Sequence, residues 1–145
     1  ENPYDLLIVT NFDDGMSVDR YRAVWDPILE AGGRIAVVRD NPPTTADALE
    51  CLTRISIGGD KVSECGASRS EAFHNRESLP TAAAEVGAAL IDLTQYYCTV
   101  DRCPSVIGDV IVYRDLKDGI NSHLTATYAA TLAPYVEAAI KQALG

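Results

Sequence analysis

The chain has 145 residues, 47% of them hydrophobic and 23% charged, the length of one ordinary globular domain around one core. Lys and Arg number 12 against 21 Asp and Glu, for a net charge of -9. No basic cluster interrupts that balance, so nucleic acid and anionic membrane are set aside as partners. No apolar run approaches the roughly 20 residues of a spanning helix, and no charged and apolar leader opens the chain. It starts Glu1-Asn2-Pro3-Tyr4 without Met, so a piece of something longer is expected.

In chain order, Leu6-Leu7-Ile8-Val9 is a wholly apolar run ending at Thr10-Asn11 and reads as a strand buried on both faces. Val18, Tyr21, Trp25, Ile28 and Leu29 then recur at helical spacing until Gly32-Gly33 breaks the segment. Ile35-Ala36-Val37-Val38 is a second buried strand, closed by Asp40-Asn41-Pro42-Pro43, so the three elements make a βαβ unit. Thr44 to Gly66 reads as a long surface loop with a short helix around Ala46 to Leu52. Helical composition returns from Ser68 to about Ala89, with Pro80 kinking it or starting a second helix. A third parallel strand is predicted at Ala89-Leu90-Ile91, ending at Asp92, and one helical turn from Thr94 to Cys98. Val106 to Tyr113 fits a hairpin turning on Gly108-Asp109. Leu124, Tyr128, Leu132, Tyr135, Val136, Ala139, Ile140 and Leu144 form one apolar stripe, which predicts a helix from about His123 to Leu144 capped by Asn121 or Ser122.

The four Cys fall in two groups. Cys51 and Cys65 enclose a polar stretch, and Cys98 and Cys103 flank Thr99-Val100-Asp101-Arg102. Both spacings suit loop-closing disulfides, although four Cys allow three connectivities. Bridging Cys51 to Cys65 would remove unfolded-state entropy worth about 3 kcal/mol, and such bridges imply an oxidising compartment. Zinc is the weaker reading, because the spacings are not C-x2-C and His74 and His123 are not spaced as a ligand pair. Asp13-Asp14-Gly15 resembles part of a calcium loop but lacks the alternating ligands and closing Glu. No metal and no cofactor is expected.

Three polar residues follow elements that point the same way: Asn11 after the first strand, Asp115 after the hairpin and His123 at the opening of the last helix. In a doubly wound sheet these ends converge on the rim where ligands bind. A neutral imidazole, favoured at a helix N-terminus, suits a general base. A carboxylate against its other nitrogen would fix the tautomer, and an Asn amide can donate to a developing oxyanion. The plainer readings are a turn Asn, a solvated loop carboxylate and a His making local hydrogen bonds. His74, on the exposed side of a charged helix, reads as structural.

Asp92-Leu93-Thr94, Cys98-x4-Cys103-Pro104, Ile107-Gly108, Tyr113-Arg114-Asp115 and His123-Leu124-Thr125-Ala126-Thr127-Tyr128 together resemble the C-terminal SGNH domain of bacterial membrane-bound acyltransferase-3 proteins. Asp40-Asn41-Pro42 resembles that family's D-x-P segment, and Cys51 with Cys65 its first Cys pair. The resemblance spans nearly the whole chain and is strongest from Asp92 to Tyr135. It implies a three-layer α/β/α sandwich with a parallel sheet, of the SGNH-hydrolase, flavodoxin-like type, and parent proteins that move acyl groups, often acetyl, onto cell-surface glycans. His123 would then be the catalytic base, Asp115 its acid and Asn11 the oxyanion donor. The Asp to His interval is longer than the family's two residues, which leaves Asp118 as another possible partner for His123.

The resemblance also implies a Gly-Asp-Ser nucleophile block after the family's first strand; no Gly-Asp-Ser occurs in the sequence, and Ser68, in Cys65-Gly66-Ala67-Ser68-Arg69-Ser70, is the nearest approach to a nucleophile elbow, with Ser where the second Gly should stand. We therefore expect a preceding segment of roughly 60 to 100 residues, by ordinary α/β unit lengths, carrying the first strand and the serine. The chain would be the later portion of a single SGNH domain, since an apolar strand left at a sheet edge would expose its backbone to pairing. The expected setting is extracytoplasmic, and the expected partners are that preceding segment, a membrane acyltransferase domain and a glycan acceptor. Two further readings stand beside the enzyme: an accessory domain that positions the glycan without catalysis, and a structural fragment with no site.

Overall fold

A computed structural model of the chain describes residues 4–11, 16–58, 61–74, 76–117 and 121–145. These form two compact units. The first is built from Glu1–Asp40, Asn75–Asp92 and Pro134–Gly145, the second from Asn41–His74 and Leu93–Ala133.

In the first unit, strands β1 (Leu7–Thr10), β2 (Ile35–Val38) and β4 (Ala89–Ile91) pair in parallel in the order β1-β2-β4. The register sets Val9 beside Val37 and Val37 beside Leu90. Helices α1 (Val18–Glu30) and α4 (Ser78–Val86) lie on one face of this sheet. Tyr21 and Trp25 of α1 and Leu79, Ala82 and Ala83 of α4 bury themselves on Ile35 and Val37. The apolar spacing predicted for α1 is therefore the spacing of its buried face. Gly87 ends α4 with a φ of 69°, a left-handed cap that glycine adopts without penalty. Pro80 falls in the first turn of α4, where its missing N–H removes no helical bond.

Strand β2 is buried as predicted, but β1 is not. Leu7 and Ile8 are 36% and 46% exposed, because among the described residues β1 has a partner along one edge only. At the carboxyl end of the sheet, Arg39 bonds Asp92 at 2.8 Å and Glu77 at 2.6 Å. Asp40 and Arg76 form a pair at 2.7 Å with both side chains nearly buried.

The second unit is a set of short antiparallel pairs with helix α2 (Ala46–Ser56), which is capped by the Thr45 hydroxyl. Strands β3 (Gly66–Ser68) and β5 (Arg102–Pro104) pair, a ribbon that periodicity did not predict. The 106–113 region gives the predicted hairpin, β6 (Val106–Ile107) with β7 (Val110–Ile111). Its turn residues Gly108 and Asp109 both have positive φ, 55° and 62°, the two-residue geometry that suits strand twist. The helical stretch expected to run on from Ser68 breaks after α3 (Arg69–Ala72), and α5 (Thr94–Tyr97) is the single turn expected. Cys51–Cys65 and Cys98–Cys103 are the disulfides, as the spacings suggested.

The start of the last helix is corrected. Helix α6 (Ala126–Leu144) begins three residues later than predicted, after β8 (Tyr113–Lys117) and β9 (Asn121–Leu124) have paired as a second hairpin. Thr125, not Asn121 or Ser122, is the cap: its hydroxyl accepts the Tyr128 N–H at 3.2 Å. A β-branched residue leaving a strand already has the extended backbone a cap needs. The sequence shows one stripe because Leu124, although on β9, happens to fall in helical phase with Tyr128. Together the two units are mixed α/β with a parallel sheet, in keeping with the expected α/β sandwich. Among the described residues no helix is long and apolar enough to cross a membrane.

Candidate active site

The β8–β9 hairpin places Asp115 directly across from His123. Their side chains meet, with His123 Nδ1 2.7 Å from Asp115 Oδ1. The same oxygen accepts the His123 backbone N–H at 3.2 Å, and Oδ2 accepts Arg114 Nε–H at 2.9 Å. An ionised carboxylate can only accept, so the imidazole carries its proton on Nδ1 and presents the Nε2 lone pair outward. The His123 side chain is 40% exposed and that of Asp115 38%, so a reacting group can approach. The hydrogen bond from the His123 side chain, the largest cause, holds the Asp115 carboxyl below the usual carboxylate range; partial desolvation opposes it, and the Arg114 and His123 N–H bonds add to it.

This arrangement overturns one expectation and explains another. His123 does not sit in the first turn of a helix, so no helix terminus tunes it; its tautomer is set by Asp115 across the ribbon. The Asp to His interval is long because the two residues stand on facing strands, with the Leu116–Ser122 and Lys117–Asn121 pairs lying between them. Asp118 lies outside the described residues, as do Asp13, Asp14 and Gly15 of the calcium-loop comparison.

Asn11 lies in the first unit, where its Nδ2 donates to the Tyr21 hydroxyl at 3.4 Å. Ser68 is the cap of α3: it accepts the Glu71 N–H at 3.2 Å while Glu71 Oε2 accepts the Ser68 N–H at 3.1 Å, a reciprocal capping box. Ser68 Oγ–H also donates to Glu71 Oε2 at 2.6 Å, so the hydroxyl is engaged by its own helix rather than by an imidazole. His74 is exposed just beyond α3 and lines an open depression with Ser70 and Glu71. Among the described residues no group of three or more His, Cys, Asp or Glu is placed to hold a metal ion.

Two residues that sequence reasoning passed over brace the hairpin. Asn41 Nδ2 donates to the Ser122 carbonyl at 3.2 Å, and the Thr44 N–H donates to Ser122 Oγ at 2.8 Å. Ser122 is almost wholly buried. A weak signal for the hairpin was present in the sequence: Tyr113 to Lys117 and Asn121 to Leu124 are short runs separated by three residues that include a Gly.

Comparison with protein families finds a match over residues 5–138 to the model described as SGNH domain (fused to AT3 domains). No curated protein and no solved structure matches the chain.

Proposed function

Since the chain belongs to the SGNH domains that are fused to AT3 domains, we propose that it is an extracytoplasmic acyl, most simply acetyl, transfer or esterase domain acting on O-acyl groups of cell-envelope glycans. The observation that carries this reading is the 2.7 Å contact between His123 Nδ1 and Asp115 Oδ1, which leaves Nε2 free. In this reading His123 Nε2 takes the proton of a serine hydroxyl as its oxygen attacks the acyl carbon. Asp115 holds the tautomer and stabilises the imidazolium, and Asn11 donates to the oxyanion. The imidazolium then returns the proton to the departing alcohol. Water or a glycan hydroxyl, deprotonated in turn by His123, takes the acyl group from the serine.

The serine is proposed to come from a preceding segment whose strand pairs along the open edge of β1. The exposure of Leu7 and Ile8 there supports this, since an apolar edge strand invites another strand. The two disulfides support an oxidising, extracytoplasmic setting. The membrane acyltransferase domain of the parent protein would be the partner and the glycan the acceptor. A second reading, an accessory domain that positions the glycan, is favoured by one observation: Ser68, the nearest approach to an elbow in this sequence, is occupied as a helix cap.

Labelling with a fluorophosphonate probe separates the two. With the preceding segment included, the label is expected on a serine of that segment. His123→Ala is expected to lower esterase kcat/KM by about 10²- to 10⁴-fold. Absence of labelling and of esterase activity would leave the accessory reading. Labelling of a serine within this chain would remove the preceding-segment proposal.

A further inference from the structure

The peptide joining Ser122 to His123 is held at both ends. Its carbonyl oxygen accepts Asn41 Nδ2–H at 3.2 Å. Its N–H donates at 3.2 Å to Asp115 Oδ1, the oxygen that also takes the His123 Nδ1 proton. On the buried side of the strand the Ser122 hydroxyl, with the residue 3% exposed, accepts the Thr44 N–H at 2.8 Å.

These bonds matter because β8 and β9 pair only with each other among the described residues, and a lone two-stranded ribbon is marginal in water. A slip of one residue would turn His123 to the other face and break its opposition to Asp115. A donor on a peptide carbonyl also polarises the whole unit and strengthens the N–H at its other end. The chain of bonds therefore runs from the Asn41 amide, through the 122–123 peptide, to the carboxylate oxygen that fixes the imidazole. The Asn41 amide is oriented for this, since Nδ2 also faces the Pro42 carbonyl at 3.4 Å.

We propose that Asn41 is a positioning residue for His123: by holding and polarising the 122–123 peptide it keeps Asp115 Oδ1 on the imidazole and the Nε2 lone pair exposed. The proposal deepens the reading of His123 as a base and takes its functional meaning from it. Its physical content concerns a tautomer, so it stands or falls without any assay of activity.

The experiment is ¹⁵N NMR of histidine-labelled protein, at a pH where His123 is neutral, with amide hydrogen exchange on the same samples. In the wild type the Nδ1–H tautomer and a protected His123 amide are expected. Asn41→Asp is nearly isosteric but sets an acceptor against the carbonyl, and Asn41→Ala removes the donor. Both are expected to lower the Nδ1–H fraction severalfold toward the Nε2–H form that free imidazole prefers. His123 amide exchange should rise at least about tenfold, of the order expected for loss of one hydrogen bond. The His74 ring and the Thr125 amide, bonded to the Val112 carbonyl, should not change.

An unchanged His123 tautomer and exchange rate in either folded variant would overturn the proposal. So would an Nε2–H tautomer in the wild type. Loss of the whole fold in both variants would also count against it, by making Asn41 a general fold residue. A shifted tautomer in a protein that no fluorophosphonate labels would keep the positioning role and remove the catalytic one.

Discussion

Asp115 is the residue on which the site turns, and its environment makes a pH prediction. Its carboxyl titrates below the usual range, first because His123 donates to it. A group whose folded pKa is depressed contributes stability above its unfolded value, near 3.9 for Asp, and loses that contribution as pH falls through the folded value. Asp115→Asn is therefore expected to melt below the wild type between about pH 5 and 7, with the two converging below about pH 3. Thermal unfolding followed by circular dichroism across that range checks it, and a constant gap at all pH values would contradict the assignment. The effect should be modest, since the pair is exposed enough for water and salt to screen it. Arg114, itself largely exposed, shares the carboxylate with His123, and it was readable from sequence only as a neighbour.

At the scale of elements, β3 and β5 approach each other so closely that a side chain has no room between them. Gly66 has a φ of 151°, and a Cβ there would lie 2.6 Å from the Cys103 carbonyl oxygen and 2.8 Å from Pro104 Cα. Both obstacles are backbone, so Gly66→Ala must pry the ribbon apart as well as strain its own dihedrals. A loss of roughly 2 to 4 kcal/mol is expected, beyond an ordinary glycine substitution; urea unfolding measures it. This ribbon also shows where sequence legibility ended. The strands β2 and β4, the helix α1, the Gly108-Asp109 hairpin and both disulfides were legible because each is written in local signals: an apolar run, a 3.6-residue stripe, a turn pair or a Cys spacing. The β3–β5 and β8–β9 pairings are three to five residues long, too short for a periodicity to emerge. Asp115 and His123 were legible as residues but not as cross-strand partners, and the bracing by Asn41 and Thr44 depends on contacts about eighty residues apart in the chain.

At the scale of the molecule, few long elements hold the second unit together, and covalent links take up much of that role. Cys51 on α2 and Cys65 ahead of β3 are both buried and bridged. Removing the bridge in the double variant Cys51→Ser, Cys65→Ser is expected to lower unfolding free energy by about 3 kcal/mol in the chain-entropy model. Urea titration of the double variant against the wild type, both kept oxidised, checks it; a difference under about 1 kcal/mol would mean that the reduced chain already holds this loop closed. The first unit is secured differently. One guanidinium, Arg34, donates to the Asp5 carbonyl at 3.0 Å and to the Leu144 carbonyl at 2.7 Å, tying positions far apart in sequence to the start of β2. The acidic surface, with its net charge of -9, should keep the chain dispersed even though β1 leaves apolar side chains at a sheet edge.

The hairpin has a consequence for descent. What joins the acid to the base is which rungs of the ribbon face one another, not how many residues lie between them in the chain. Closing a longer connection adds only about 0.6 kcal/mol per doubling of its length, so insertions there can accumulate in a lineage while the partnership stays intact. A search for kin that demands a fixed interval between the two would pass over such lineages, whereas one that aligns the two strands and lets their connection vary would gather them.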